Sequence, residues 1–282
     1  MNTGRISLEN VGIKVEKYYS SEIKKFAIEL TQHHHPDTIQ VGDVTQWREW
    51  NIEWGEIDLV LSGSPCQDLS IAGKRKGLKG KNSSLFWVFV EILNHIKSLN
   101  PNVLFLQENV GSAPKPDVLL MSQALGVLPV RINSNLVTAQ NRDRYYWTNI
   151  RTRTDWTGDV FTDIPQPADR KIMLRDVIES GEVEKDKSNA LLERTGDSFG
   201  YKDKLSDKAQ NFLKNRIDFG SITCVKEKEH LRLFTQTELE RLQGFPDGWT
   251  SILSYNKASS LLGDGWTLPI IEHIFSFISN VE

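Results

Sequence analysis

Cys66 stands in Gly63-Ser64-Pro65-Cys66-Gln67-Asp68-Leu69-Ser70, directly after the apolar run Ile57-Asp58-Leu59-Val60-Leu61. A cysteine at the end of a buried strand, introduced by a proline and followed by a glycine-rich basic loop, is set up as an exposed nucleophile. Elsewhere a lone cysteine is more often a small buried hydrophobe. Further on, Glu108-Asn109-Val110 puts a carboxyl at the end of a second apolar run, and Gln140-Asn141-Arg142-Asp143-Arg144 spaces two arginines at i and i+2. Residues two apart on a strand face one way, so both guanidinium groups are expected to converge on one anionic or carbonyl target. A thiol, a carboxyl and paired cations together support nucleophilic addition with acid assistance.

The elements that must position these residues alternate between strand and helix. Thr3 reads as the N-cap of a short helix carrying Ile6, Leu8 and Val11 and closed by Gly12. Residues 13–19 read as a strand with Glu22 just past its end, and residues 23–32 as a helix with Ile23, Phe26, Ala27 and Leu30 on one face. Residues 38–41 form the next strand, ending at Gly42-Asp43, and residues 57–61 the strand that leads to Cys66. Leu85 to Leu99 is a strong helix, and residues 102–107 a buried strand leading to Glu108. This rhythm implies an α/β fold with a doubly wound, mostly parallel sheet and a site along its carboxyl edge.

Beyond Trp147 the rhythm stops, and residues 151–231 are polar and weakly periodic, as a smaller inserted module would be. Regular apolar spacing returns at residues 238–242 and 268–278, where Ile270, Ile271, Ile274, Phe275 and Ile278 make one helical face. The expected organisation is therefore a first domain over 1–150, an insert over 151–231, and a segment over 232–282 that completes the first domain.

Composition excludes several classes. Hydrophobic residues make up 39% and charged residues 25% of the 282, which are globular values. No apolar run is long enough to span a bilayer, and the N-terminal stretch has no apolar core of a secretory signal. Cys66 and Cys224 are the two cysteines, so neither a disulfide framework nor a cysteine-built zinc site is expected, and a cytoplasmic setting is. The net charge of -3 argues against indiscriminate polyanion binding, but Lys74-Arg75-Lys76-Gly77-Leu78-Lys79-Gly80-Lys81 has five cations and no acid. Such a run is usually a solvated face; here two glycines make it a loop able to close on a phosphate backbone. No metal site is expected: His33-His34-His35, before Pro36, reads as a solvated turn, and Cys224 as core. The tryptophans are scattered, with no stacking platform expected outside the insert.

In order and spelling these motifs resemble those of the DNA (cytosine-5)-methyltransferase family over nearly the whole chain. Gly63-Ser64-Pro65-Cys66-Gln67 is similar to its nucleophile motif, Glu108-Asn109-Val110 to its acid motif and the arginine pair to its paired-arginine motif. Arg241-Leu242-Gln243-Gly244-Phe245-Pro246 and Gly263-Asp264-Gly265-Trp266 are similar to its two late motifs. The Ser64 to Gly73 stretch and the short variable region look closest to the small phage and bacterial enzymes and the eukaryotic de novo branch.

The resemblance implies a Rossmann-like S-adenosylmethionine-dependent fold acting on double-stranded DNA, in the cytoplasm of a bacterial or phage-infected host cell. Residues 151–231 would be the target-recognition region. A thiolate from Cys66 would add to carbon 6 of a cytosine rotated out of the helix, with Glu108 serving ring nitrogen 3 and Arg144 the carbonyl oxygen. Arg142 would support Cys66 and a phosphate, while Pro65 and Asn109 shape the pocket. For the methyl donor, Glu22 would hold the ribose hydroxyls, Asp43 and Val44 the adenine, and Gly265 and Trp266 the methionine side, with Thr3 and Gly4 the remnant of the first motif. As isolated residues, acids after strands are equally helix caps and Trp266 equally core.

The family's first central strand and its aromatic-acid-glycine turn have no counterpart here, because Met1-Asn2-Thr3-Gly4 matches only the last part of that motif. Either a downstream start or fragment, or a shortened and catalytically impaired DNA-binding homologue, is expected from this. Methylation of RNA is the third reading; the Cys-Phe-Thr signature of that branch is not visible.

Alanine at Lys74, Arg75 and Lys76, beside Ser70 in the same loop, is expected to weaken duplex binding and flatten its salt dependence, by about one unit of log-log slope for each phosphate no longer neutralised. A titration over ionic strength checks this, and an unchanged slope removes the loop from the DNA interface.

Overall fold

Strand alternation organises the chain. In the computed structural model, which describes residues 1–63, 85–191, 210–211, 214, 223–228 and 230–278, β3 (Leu59–Gly63) and β4 (Leu104–Val110) run parallel, with Leu61 opposite Leu106 and Gly63 opposite Glu108. Parallel neighbours need a crossover, and α3 (Leu85–Leu99) lies in the connection. Two further strands, β5 (Val130–Asn133) and β7 (Asp143–Thr148), complete a sheet of order β3-β4-β7-β5, in which β7 alone runs against its neighbours.

Successive residues of the sheet feed two cores. Phe105 and Trp147 point to one face, where Phe86, Phe89, Ile92, Leu93 and Ile96 of α3 cover them together with Met121 and Leu125 of α4 (Lys115–Leu125). Leu106 and Tyr146, one residue on, point to the other, against Ile270, Ile271, Ile274 and Phe275 of α7 (Leu268–Phe275) and Leu8 of α1 (Thr3–Asn10). Helices on both faces of one sheet give the expected α/β fold, with α7 of the C-terminal segment packed on one of those faces.

The N-terminal part differs in detail from the sequence reading. Residue 3 opens α1 rather than capping it; the cap position is Asn2, in the left-handed region at φ 53, with its amide donating to Thr38 Oγ1. The strand expected over 13–19 is confined to β1 (Tyr19–Ser20), which pairs in parallel with β2 (Ile39–Gln40) across α2 (Lys25–His34). These two form a sheet of their own, unbonded to the four-stranded one. Of the three histidines expected in a solvated turn, His33 is exposed but His34 and His35 are packed. His34 stacks on Trp249 with ring centroids 3.7 Å apart, and its ring nitrogen meets the Trp249 carbonyl at 2.7 Å. Burial in that stack holds the His34 imidazole below its usual range. His35 is buried beside Glu9. The sequence suggests a free histidine turn because it does not reveal that Trp249 arrives from the far end of the chain.

A third core joins the C-terminal segment to part of 151–231: Leu174, Val177, Leu191 and Val225 pack with Leu239, Leu242 and Phe245, and with Leu262 of α6 (Tyr255–Asp264). Here β6 (Gln140–Asn141) pairs with β10 (Ser188–Asn189). Hairpins are made by β8 (Thr152–Thr154) with β9 (Val160–Thr162) and by β11 (Val225–Glu227) with β12 (His230–Arg232). Cys224 is buried at 9% exposure, and burial pushes its thiol up to about 12. Among the described residues no helix is long and apolar enough to cross a membrane, and no cluster of side chains could hold a metal ion.

A buried ion pair closes this core. Thr235 caps α5 (Gln236–Gln243) through a capping box with Glu238. The fully buried Glu238 carboxylate receives Arg232 Nη1 and Nη2 at 2.8 and 2.9 Å and the backbone N–H groups of Glu179 and Thr235, both at 2.8 Å. Glu238→Ala leaves the buried Arg232 with Glu227, 3.1 Å away, as its one carboxylate partner among the described residues, and unpairs the Glu179 and Thr235 N–H groups. A destabilisation of about 2–4 kcal/mol is therefore expected in chemical denaturation.

Candidate active site

The carboxyl ends of β1, β2, β3 and β4 open into a cleft that continues along the whole of β3 to Asn100 and Leu104, about 3020 Å³ in all. Glu22, Asp43, Gly63, Glu108, Arg142 and Arg144 line it, together with Thr3, Gly4, Val44, Gly265 and Trp266. Glu22, Asp43, Gly63 and Glu108 meet there because each lies at or just past the end of a parallel-paired strand. Antiparallel β7 brings Arg144 to the same edge by its beginning, and the C-terminal segment brings Gly265 and Trp266. Cys66, Pro65, Ser70, Lys74, Arg75 and Lys76 lie outside the described residues; Gly63, the last residue of β3, precedes Cys66 by three.

Glu108 is held from two sides. It is opposite Tyr146 across β4 and β7, and Arg144 lies two residues along β7 on the same face. The Arg144 Nε contacts Glu108 Oε1 at 2.7 Å, with side-chain exposures of 14% and 12%. Arg144 Nη1 donates to the Asp143 carbonyl at 2.8 Å, and among the described residues its Nη2 takes no protein acceptor. From the other side the Trp266 indole N–H donates to Glu108 Oε2 at 3.2 Å. Asn109 points to the opposite face by strand alternation; it is buried, and its Oδ1 accepts from the Val110 N–H.

The two arginines do not converge. Arg142 falls between β6 and β7, where its own N–H is taken by Asn133 Oδ1, and the break in the strand turns its side chain away from that of Arg144. Its guanidinium, 4% exposed, donates to the carbonyls of Leu191, Gly263 and Gly265 at 3.1, 2.9 and 2.9 Å. Arg142 therefore ties the loop before Trp266 to residue 191, a linkage that an i, i+2 spacing does not reveal. The neighbouring Thr267 Oγ1 donates to Gln243 Oε1 at 3.0 Å and accepts from Ser134 Oγ at 2.9 Å. Gln243 belongs to the first of the two late motifs, whereas Ser134 and Thr267 lie in none of the quoted motifs, and their burial with Gln243 marks them.

The far wall carries acids whose local caps leave one oxygen over. Glu22 Oε1 accepts from the N–H groups of Ile23 and Lys24 at 2.7 and 2.8 Å. Asp43 Oδ1 accepts from the N–H and hydroxyl of Thr45, which hold its carboxyl below the usual range. The cap reading and the ligand reading thus coexist: each remaining carboxylate oxygen has no protein donor among the described residues.

A Rossmann-like methyltransferase fold agrees with this arrangement. An Entamoeba histolytica methyltransferase structure, EhMeth, superposes with a TM-score of 0.65 over 98% of this chain and 94% of that one, at 15% identity. The sequence adds the specific class. Residues 2–124 and 132–280 match the model of the C-5 cytosine-specific DNA methylases, and the chain belongs to that family. It is 28% identical to the type II methyltransferase M.HpaII of Haemophilus parainfluenzae over 95% of this chain and 84% of that one. Identity is also 28% to M.NlaX of Neisseria lactamica, over 96% and 90%. The chain is accordingly a DNA (cytosine-5)-methyltransferase that uses S-adenosylmethionine. The cleft fits that donor: spare carboxylate oxygens of Glu22 and Asp43 suit hydroxyl and amine hydrogens, and these acids lie apart from Glu108 across one continuous space.

Arg142→Met removes the donor from three inward carbonyls. The expected result is a destabilisation of about 2–4 kcal/mol in urea unfolding, from polar groups left unpaired on burial; a variant of unchanged stability would free Arg142 for a purely catalytic part.

Proposed function

We propose that this chain methylates cytosine in double-stranded DNA through a covalent adduct of Cys66 on a base rotated out of the helix. The observation that carries the reading is the Glu108–Arg144 pair, 2.7 Å apart at the end of β4 and beside the strand that leads into the Cys66 motif. Carbon 5 of cytosine is a poor nucleophile within an aromatic ring. A thiolate from Cys66 forming a bond to carbon 6 displaces the ring π pair toward carbon 5 and ring nitrogen 3. The Glu108 carboxyl gives that nitrogen a proton and takes it back at the end, and the Arg144 Nη2 serves the neighbouring carbonyl oxygen. Once carbon 5 carries the methyl group, loss of the carbon 5 proton to solvent leaves the electron pair that restores the ring and expels Cys66 as thiolate.

S-adenosylmethionine, when bound, supplies the methyl group. Glu22 holds its ribose hydroxyls, Asp43 and Val44 its adenine, and Thr3, Gly4 and Gly265 close around the remainder. Asn109 shapes the pocket from behind Glu108, and Pro65 presents Cys66. Arg142 acts by fixing the last turn of α6 and Gly265 just past it rather than by touching the base. Residues 1–150 with 232–282 form the catalytic and cofactor-binding domain, and 151–231 is the target-recognition region. The loop with Ser70, Lys74, Arg75 and Lys76 closes on the phosphates and fills the gap left by the base, whose extrusion costs about a few kcal/mol.

Incubation with S-adenosylmethionine and a duplex carrying 5-fluorocytosine is expected to trap a covalent complex that Cys66→Ser abolishes, resolved on a denaturing gel. Trapping that survives Cys66→Ser would sink the mechanism. No adduct from the parent chain, with duplex affinity retained, would favour a DNA-binding homologue instead.

A further inference from the structure

We infer that Trp266 is a positioning residue for Glu108, a role that rests on the reading of Glu108 given above. Gly63 and Glu108 are in-register neighbours on β3 and β4, so their side-chain positions lie on the same face. Gly63 leaves its place empty, and the Trp266 indole fills it. A Cβ on Gly63 would lie 2.8 Å from the indole Nε1 and 3.3 Å from Cε2. From that place the N–H reaches Glu108 Oε2 at 3.2 Å, while Arg144 Nε holds Oε1 at 2.7 Å. With the Arg144 guanidinium paired to one oxygen and the indole N–H bonded to the other, the carboxylate cannot turn about its last torsion without giving up both contacts. An arginine that shifts toward a base carbonyl weakens one of them. The indole keeps the other.

Trp266 is itself anchored on both sides in sequence. The Gly265 carbonyl accepts from Arg142 Nη2 at 2.9 Å and from Gln243 Nε2 at 3.4 Å. Thr267, buried, is bound to Gln243 and Ser134 through its hydroxyl. A side chain whose neighbours are fixed by buried hydrogen bonds delivers its N–H with little orientational freedom, as a supporting layer around a reacting group must. The same indole lies against the residue three before Cys66, so it also sets the acid relative to the strand that leads to the thiol.

Trp266→Phe keeps an aromatic ring over Gly63 and removes the donor. In steady-state methylation of a cytosine-containing duplex, kcat is expected to fall between about tenfold and a hundredfold, the range for a reacting group displaced by a fraction of an ångström to an ångström. The KM values for S-adenosylmethionine and DNA should stay within about twofold of the parent's. A raised KM for S-adenosylmethionine with kcat unchanged would overturn the inference and make Trp266 a cofactor-side residue only. A spectroscopic arm needs no turnover. In 15N-labelled protein, the indole resonance missing from Trp266→Phe identifies Trp266, and Glu108→Ala should move it and speed its hydrogen exchange. Glu108→Gln, which keeps the volume, should move it the same way by less. A resonance indifferent to both overturns the inference, even if the parent chain methylates nothing and the reading of function itself fails.

Discussion

A carboxylate almost shielded from water must find its donors inside the protein, and Glu108 is that carboxylate here. Its side chain is 12% exposed, at the end of the most buried strand of the sheet. One oxygen is met by Arg144 from β7 and the other by Trp266 from the loop before α7. Both partners reach it only because β3, β4 and β7 are in the register observed, and because Gly63 has no side chain in the way. A slip of one residue in β4 would turn Glu108 to the α3 face and Asn109 toward the indole.

The consequence runs through the rest of the molecule. Trp266 belongs to the C-terminal segment, so the site does not exist until that segment has packed its Ile270, Ile271, Ile274 and Phe275 onto the sheet. Arg142, Gln243, Ser134 and Thr267 then hold the turn of chain that carries the indole. Buried polar networks of this kind stabilise a fold only when every member is satisfied, and here the donors and acceptors come from four separate stretches of sequence. The stack of His34 on Trp249 adds a further tie, from α2 to the loop after α5. The wall formed by the ends of β1 and β2, whose sheet is separate from the four-stranded one, is thus linked to the wall carrying Glu108 by the late part of the chain.

Much of this is legible without coordinates. The helix Leu85–Leu99 can be read to the residue, because its apolar face repeats with helical period and nothing interrupts it. The strands leading to Cys66 and Glu108 can be placed within a few residues, since short apolar runs bounded by turn residues have few other uses. Residues 13–19 mislead: their alternation is real, but the strand pairing extends only over Tyr19 and Ser20. The histidine run misleads for a complementary reason, its partner Trp249 being more than two hundred positions away.

The sequence by itself determined the family chemistry, since thiol, acid and arginine motifs in a set order need no coordinates to be compared. It also determined which residues follow strands, and therefore which could gather at the carboxyl edge. Only the tertiary structure decided how they divide the work. It separated Arg142 from Arg144 by breaking the strand between β6 and β7, paired Arg144 with Glu108, and brought Trp266 over Gly63. Motif spacing records position along one chain, whereas a hydrogen bond of about 3 Å depends on register between strands and on which side chain is absent.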